Sequence, residues 1–378
     1  MDRRAVGVGS HAQRLRRCGS AARRRGFDGG AVRSVLAVAD RRRAATRLRR
    51  VVIVGGFFAG VIARLLDNKG IAATRPARSE LDVEDAASLR RFLRAGDVLV
   101  DAAGPFQSRS TASLESAIEL GVDVVDMNES LGYARRVESL RARIAAGGIT
   151  VRSACSAVST VAAALVRRSG IERPLRVSAL VAPASRETAH DATLRALLAS
   201  VGAPIELWRD GAFAPAVGWR VSRRFELPGA RGYLVESVLS FDLPPIWPSL
   251  RGVDTWTDTR TPGANGVLSL VARAPATRAV AIASVPLGAL LARTFGTRAG
   301  GFGLEIEDDR GRLAHFWLSA ARGSYVIAAA PAALAARMLI EERGTDRGLV
   351  RPDRHVPVDA LMSYLEALGM RLEQRERS

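Results

Sequence analysis

Residues 51–70 constrain the fold more than any other stretch. Val51-Val52-Ile53-Val54 is an unbroken apolar run rich in β-branched residues, the pattern of a parallel strand covered on both faces. Gly55-Gly56-Phe57-Phe58-Ala59-Gly60 follows, then Val61–Leu66 reads as a helix with a stop signal at Gly70. A strand, a glycine turn and a helix in that order offer unpaired N–H groups and a positive dipole end to a phosphate. Gly55 permits the tight turn, and Gly60 lets helix and strand approach closely. The full fingerprint is Gly-x-Gly-x-x-Gly, and here Phe57 holds its middle position. If Gly56 takes that role, the loop is one residue short. Gly55, Gly56, Phe57, Phe58, Ala59 and Gly60 are therefore candidates for cradling a dinucleotide, with a purely structural turn as the alternative.

The following residues extend the pattern. Ile71–Thr74 is a short second strand that ends at Arg75. The position just past such a strand reads the ribose: an acid suits a free 2′-hydroxyl, an Arg suits a 2′-phosphate. Arg75, with Arg78 nearby, favours NADP over NAD, the alternative being an ordinary exposed Arg. A helix over 86–94 leads to the strand Asp97–Ala103 and the loop Gly104-Pro105-Phe106-Gln107. A helix (111–120), the strand Val122–Asp126, a helix over about 131–146 and the strand Ile149–Val151 complete the alternation. Strands alternating with helices predict an α/β fold with a doubly wound parallel Rossmann sheet. Ligands of such sheets sit at the carboxyl ends of the strands, which adds Ala103, Gly104, Pro105 and Phe106 to the cofactor candidates.

Charge separates the chain into two regions. The 378 residues carry a net charge of +18, with 56 basic and 38 acidic side chains. Residues 1–50 alone hold 15 Arg against 3 Asp, so most of the excess is local and specific nucleic-acid binding by the body is not expected. The 1–50 segment reads as a disordered or mis-started extension, with a basic arm for nucleic acid or anionic lipid as the alternative. Its apolar patch at 30–39 contains Arg33 and lies too late for a secretory signal, so a cytoplasmic location is expected. Cys18 and Cys155 are too few for a disulfide framework, and His11, His190, His315 and His355 lack ligand-like spacing, so no metal site is expected.

The stretches DVLVDAAGPFQ (97–107), GVDVVDMNE (121–129) and SACSAVST (153–160), all after GGFFAG, resemble the NADP-binding domain of saccharopine dehydrogenase-like oxidoreductases. WRDG (208–211), ELPGARG (226–232), a late hairpin and a final helix after 348–352 extend the resemblance to roughly residues 51–370, with the Arg-rich head outside it. The resemblance implies an NAD(P)-dependent oxidoreductase with a mixed α/β second domain. The family includes lysine-pathway enzymes and lipid-acyl enoyl reductases, so the substrate, small or lipid-like, does not transfer. A trans-acting acyl enoyl reductase and a non-catalytic binding or sensor relative are the alternatives. The sequence departs from the family in its shorter glycine turn and in Asp101, where an Asn is expected.

The second half changes character. Residues 157–330 read as an α+β domain of mostly antiparallel strands for substrate binding or dimerisation. Residues 331–378 read as C-terminal helices packing back on the Rossmann domain of 51–156. Trp208, Trp219 and Trp256, with Phe213, suit plain core or the wall of an apolar pocket. The apolar run 279–292 is too short for a membrane span. It reads as a buried or pocket-lining helix, with a membrane-surface element as the alternative, so a peripheral membrane contact and a homodimer both stay open. Hydride transfer needs a proton donor or acceptor beside the cofactor. Catalytic candidates are Asp126, with Glu129 close by, Cys155 at a helix start, and His190 between Glu187 and Asp191. No Tyr-x-x-x-Lys pair exists, because Lys69 is the only Lys.

Overall fold

Two sheets share the work, one parallel and one mostly antiparallel. The computed structural model describes residues 49–377, apart from 275, 277–278, 280–282 and 342–345. The expectations for residues 1–48 lie outside the described residues. Arg49 and Arg50, grouped by sequence with the Arg-rich segment, belong to the fold. Arg50 forms a two-pronged pair with Asp97 at 2.6 and 3.1 Å, and Arg49 meets Asp123 at 2.7 Å.

The first sheet is built from β1 (Val51–Gly55), β2 (Ala73–Thr74), β3 (Val98–Ala102), β4 (Asp123–Asp126), β5 (Thr150–Arg152) and, much later, β14 (Gly348–Leu349). Their order across the sheet is β14-β5-β4-β3-β1-β2, all parallel. Val51, Val52, Ile53, Val98, Leu99 and Val100 are fully buried, which explains why these strands read as continuous apolar runs. The helices between them are α1 (Phe57–Asp67), α2 (Ala86–Phe92), α3 (Ala112–Leu120), α4 (Leu131–Ser139) and α5 (Arg141–Ala146). The sequence predicts one helix over about 131–146; the chain breaks it at Leu140. The strand order reverses beside β1, and in doubly wound sheets a ligand crevice opens at that point.

Residues 157–161 form a π-helical turn leading into α6 (Ala162–Arg168). The second sheet runs β15-β13-β12-β6-β11-β10-β9, with β7 and β8 attached through β11. Its strands are β6 (Pro174–Ala182), β7 (Pro204–Arg209), β8 (Ala212–Val217), β9 (Ser222–Arg224), β10 (Arg231–Val235), β11 (Gly252–Thr257), β12 (Gly300–Asp308), β13 (Leu313–Ala320) and β15 (Arg371–Arg377). Only the β6–β11 pairing is parallel. The expected hairpin joins β12 to β13. Helices α7 (Ser185–Thr188), α8 (Asp191–Ala199), α9 (Leu239–Asp242), α10 (Ala264–Arg273) and α11 (Val285–Phe295) lie in its connections.

One face of this sheet shares a core with the first. Val177, Ala179, Leu304, Ile306 and Phe316 belong to the same apolar cluster as Val51–Val54. Helix α12 (Val326–Ile340) lies in that cluster against α1. Its Ala-rich sequence lets the two helices approach, and Ala329, Ala330, Ala332, Ala335 and Ala336 are fully buried. The chain then supplies β14 to the first sheet, passes through α13 (Val358–Ala367) and ends the second sheet with β15. The sequence reading stopped at helices there; β15 is a seven-residue strand of mostly charged residues paired with β13. Trp219 is fully buried and stacked on Tyr233, and Trp256 is buried beside Phe225, so both are core.

The apolar run at 279–292 departs from expectation. Residues 280–282 lie outside the described residues. The rest enters α11, which buries only small side chains and leaves Leu287, Leu290 and Phe295 more than half exposed. This is not the buried helix the sequence suggests.

Candidate functional site

The glycine turn is shaped by contact with β3. Gly55 has φ +121°, and a β-carbon there would lie 2.3 Å from the Ala102 carbonyl oxygen. Only glycine satisfies both conditions. Gly56 precedes α1 and faces open space, with no atom within 4 Å of where its β-carbon would be. No side chain caps the start of α1, and its first turn holds no acid. The helix therefore presents free N–H groups and an uncompensated positive end. Gly60 lies one turn on, under the Arg75 guanidinium, which comes within 3.4 Å of its β-carbon position. Arg75 is exposed, and no salt bridge engages it among the described residues. Arg78 lies 3.8 Å from Asp82.

Phe57 does not line an empty phosphate loop. Its ring lies tilted by 32° against His190, centroids 4.4 Å apart, and meets Tyr325 edge-on at 5.0 Å and Phe58 at 5.2 Å. Thus the residue standing where the fingerprint has a second glycine joins the turn to two segments distant in sequence. His190 lies just ahead of α8 and Tyr325 just ahead of α12. The Nε2 atom of His190 is buried without a hydrogen-bond partner. Glu187 is engaged elsewhere, accepting the Gly323 N–H at 2.9 Å, and the Asp191 side chain lies outside the described residues.

The loop after β3 is held from below. Asp101 is buried and forms a paired contact with Arg109 at 2.9 and 3.2 Å. It also accepts from Ser113 and from the Ala103 N–H. Arg109 donates onward to the Ala103 carbonyl at 2.6 Å and to Glu84. Burial works against the Arg109 charge, but Asp101 and Glu84 outweigh it and raise its pKa. This pair accounts for Asp at position 101: the carboxylate anchors the Ala103–Phe106 loop through one buried cation. Phe106 is buried against Tyr133, and Gly104–Pro105 is a cis peptide.

The acidic candidates differ in setting. Asp126 is buried, and one oxygen accepts the N–H groups of Asn128 and Ala154. It ties the end of β4 to the loop after β5. Burial raises its pKa to about 6, against the pull of those hydrogen bonds. Glu129 is partly exposed at the same edge. Burial raises it to about 7, with the Gln107 side chain pulling the other way. The 106–108 turn that carries Gln107 also lies against α8. Glu129 and Gln107 thus lie together at this edge, and the turn that carries Gln107 touches α8. Asp242 is similar in kind, pushed up to about 7 by burial and bonded to Ser159. It lines a cavity of about 80 Å³ with Ser153 and Glu138.

Cys155 has the setting of a core thiol. It is fully buried, and burial pushes its pKa up to about 12, the reverse of an activated thiolate. His355 is also core: its ring bonds Thr160 at 2.8 Å and the Val350 carbonyl at 3.1 Å. Sequence reasoning missed Tyr325, because its position before an Ala-rich helix gives no signal of what the helix packs against.

Residues 26–151 match the family described as Saccharopine dehydrogenase NADP binding domain, reaching back into the segment that the sequence reading placed outside the resemblance. No curated protein sequence matches the chain. Among solved structures, apo saccharopine dehydrogenase (L-Glu forming) from Saccharomyces cerevisiae is 15% identical with a TM-score of 0.55, covering 87% of this chain and 100% of its own. An oxidoreductase from Sinorhizobium meliloti is 9% identical with a TM-score of 0.39, over 85% and 96% of the two chains. The fold is that of the yeast enzyme, and the glycine turn belongs to a nicotinamide-dinucleotide-binding domain.

Proposed function

From a nucleotide domain that belongs to the saccharopine dehydrogenase NADP-binding family, we propose that the protein is an NADP-dependent oxidoreductase acting on a small or lipid-like substrate. The observation that carries this reading is the uncapped start of α1, with open space at Gly56 and, over Gly60, the Arg75 guanidinium, which no salt bridge engages among the described residues. These residues fit a pyrophosphate and a 2′-phosphate respectively. When bound, the dinucleotide supplies or accepts hydride.

The chain's own residues do the rest. Gly55 and Gly56 let the backbone approach the phosphates, and Asp101 with Arg109 fixes the Ala103–Phe106 loop. Phe57, His190 and Tyr325 wall the cleft and exclude water. Glu129, with a pKa of about 7, is poised to take or give a proton at its carboxyl oxygen near neutral pH. His190 Nε2 is available as a hydrogen-bonding group to substrate. Asp126 serves as a positioning residue for the loops of 127–130 and 153–155, and Cys155 takes no part.

Fluorescence titration of NADPH and NADH tests the reading. NADPH binding is expected, and Arg75→Glu should weaken it by about 10–100-fold with a smaller effect on NADH. No binding at millimolar NADPH would overturn the assignment, and equal losses for both cofactors would remove the 2′-phosphate role.

A further inference from the structure

Helix α11 is amphipathic with its large residues on the wrong side for a core. Val285, Ala289 and Ala292 are buried, while Leu287, Leu290, Leu291 and Phe295 are 57%, 61%, 43% and 63% exposed. The four exposed positions follow helical spacing and form one outward stripe. Neighbouring α10 adds Val267 and Leu270, at 59% and 64% exposure. Both helices rest on α8: α11 packs against it directly, and Leu268 and Val271 of α10 cluster with Leu197 and Leu198. An exposed apolar stripe of this length along one helix marks an interaction surface.

Charge decides the occupant. From Thr259 to Leu304 the sequence holds five Arg and no Asp or Glu. Arg273, Arg293 and Arg298 are exposed, as is Arg186, which donates to the Thr294 carbonyl at the end of α11. A symmetric contact between two copies would bring these cations together with no acid in the segment to offset them. We propose that α11, with α10 beside it, docks the protein on an anionic lipid surface. The leucines and Phe295 enter the acyl boundary, and the arginines meet the headgroups. This goes beyond the oxidoreductase reading and does not depend on it.

The test is co-sedimentation of the full chain with phosphatidylcholine vesicles, with and without phosphatidylglycerol, at physiological ionic strength, the Arg-rich 1–48 segment being common to both proteins compared. The comparison is Leu290→Gln with Phe295→Gln, both at exposed positions, checked for an unchanged thermal midpoint and unchanged NADPH titration. Wild type is expected to sediment with the anionic vesicles, and the double variant at least about tenfold less. Equal sedimentation of the two proteins, or none by wild type, would overturn the proposal. So would a wild-type dimer that the double substitution converts to monomer.

Discussion

In the proposed reading the chemistry turns on Arg75 and Glu129, while His355 shows how the fold handles a titratable group buried in its core. If Glu129 carries the proton, Glu129→Gln should lower kcat/KM by roughly 100-fold at the plateau and remove the pH limb near 7. An unchanged limb would assign the proton to another group. His355 works oppositely. A carbonyl can only accept, so the Val350 contact places the proton on Nε2, and Nδ1 accepts from the Thr160 hydroxyl. Burial lowers its pKa to about 3. Its contribution to stability is intact above the ordinary histidine value near 6.5. As pH falls below that, only the unfolded chain takes up the proton, and stability is lost down to about pH 3. His355→Gln keeps both hydrogen bonds and removes the titration. Between pH 6 and 4, wild type should lose about 1.4 kcal/mol per pH unit relative to that variant in urea melts.

At the scale of elements, the sequence was legible where a pattern is local. Runs such as Val51–Val54 and Val98–Val100 announce buried parallel strands, and Gly55 announces the turn, because periodicity and glycine act within a few residues. Partnerships across long separations were not legible. The Phe57–His190–Tyr325 contact joins three distant segments. β15 looks like a solvated charged tail, yet charge is what keeps an edge strand from recruiting further chains. α11 deceived for the same reason: apolar content says nothing of which face is covered. Asp101 was visible as a departure and became intelligible only with Arg109. Asp101→Asn should cost about 2–3 kcal/mol, since it strips the buried guanidinium of its main counter-ion while Glu84 remains. Equilibrium urea unfolding would measure it, and a loss below about 0.5 kcal/mol would show that Glu84 alone suffices.

At the scale of the whole molecule, the chain returns once to each sheet after leaving it. α12 and β14 complete the nucleotide side, and β15 completes the other. Removing residues 341–377 should therefore damage both, giving a protein that loses NADPH binding and exposes apolar surface to a hydrophobic dye; retained binding would show that β14 is dispensable. The same braided path has a consequence in time. A ribosome delivers residues in order, and domains ordinarily fold as they emerge. Here β5 waits for residues 348–349 and β13 for residues 371–377. Neither sheet is finished until residues 348–349 and 371–377 have emerged. The nascent protein thus carries open edges at β5 and β13 while the roughly 200 residues after β5 and the roughly 50 after β13 are made, the interval in which chaperones would hold it.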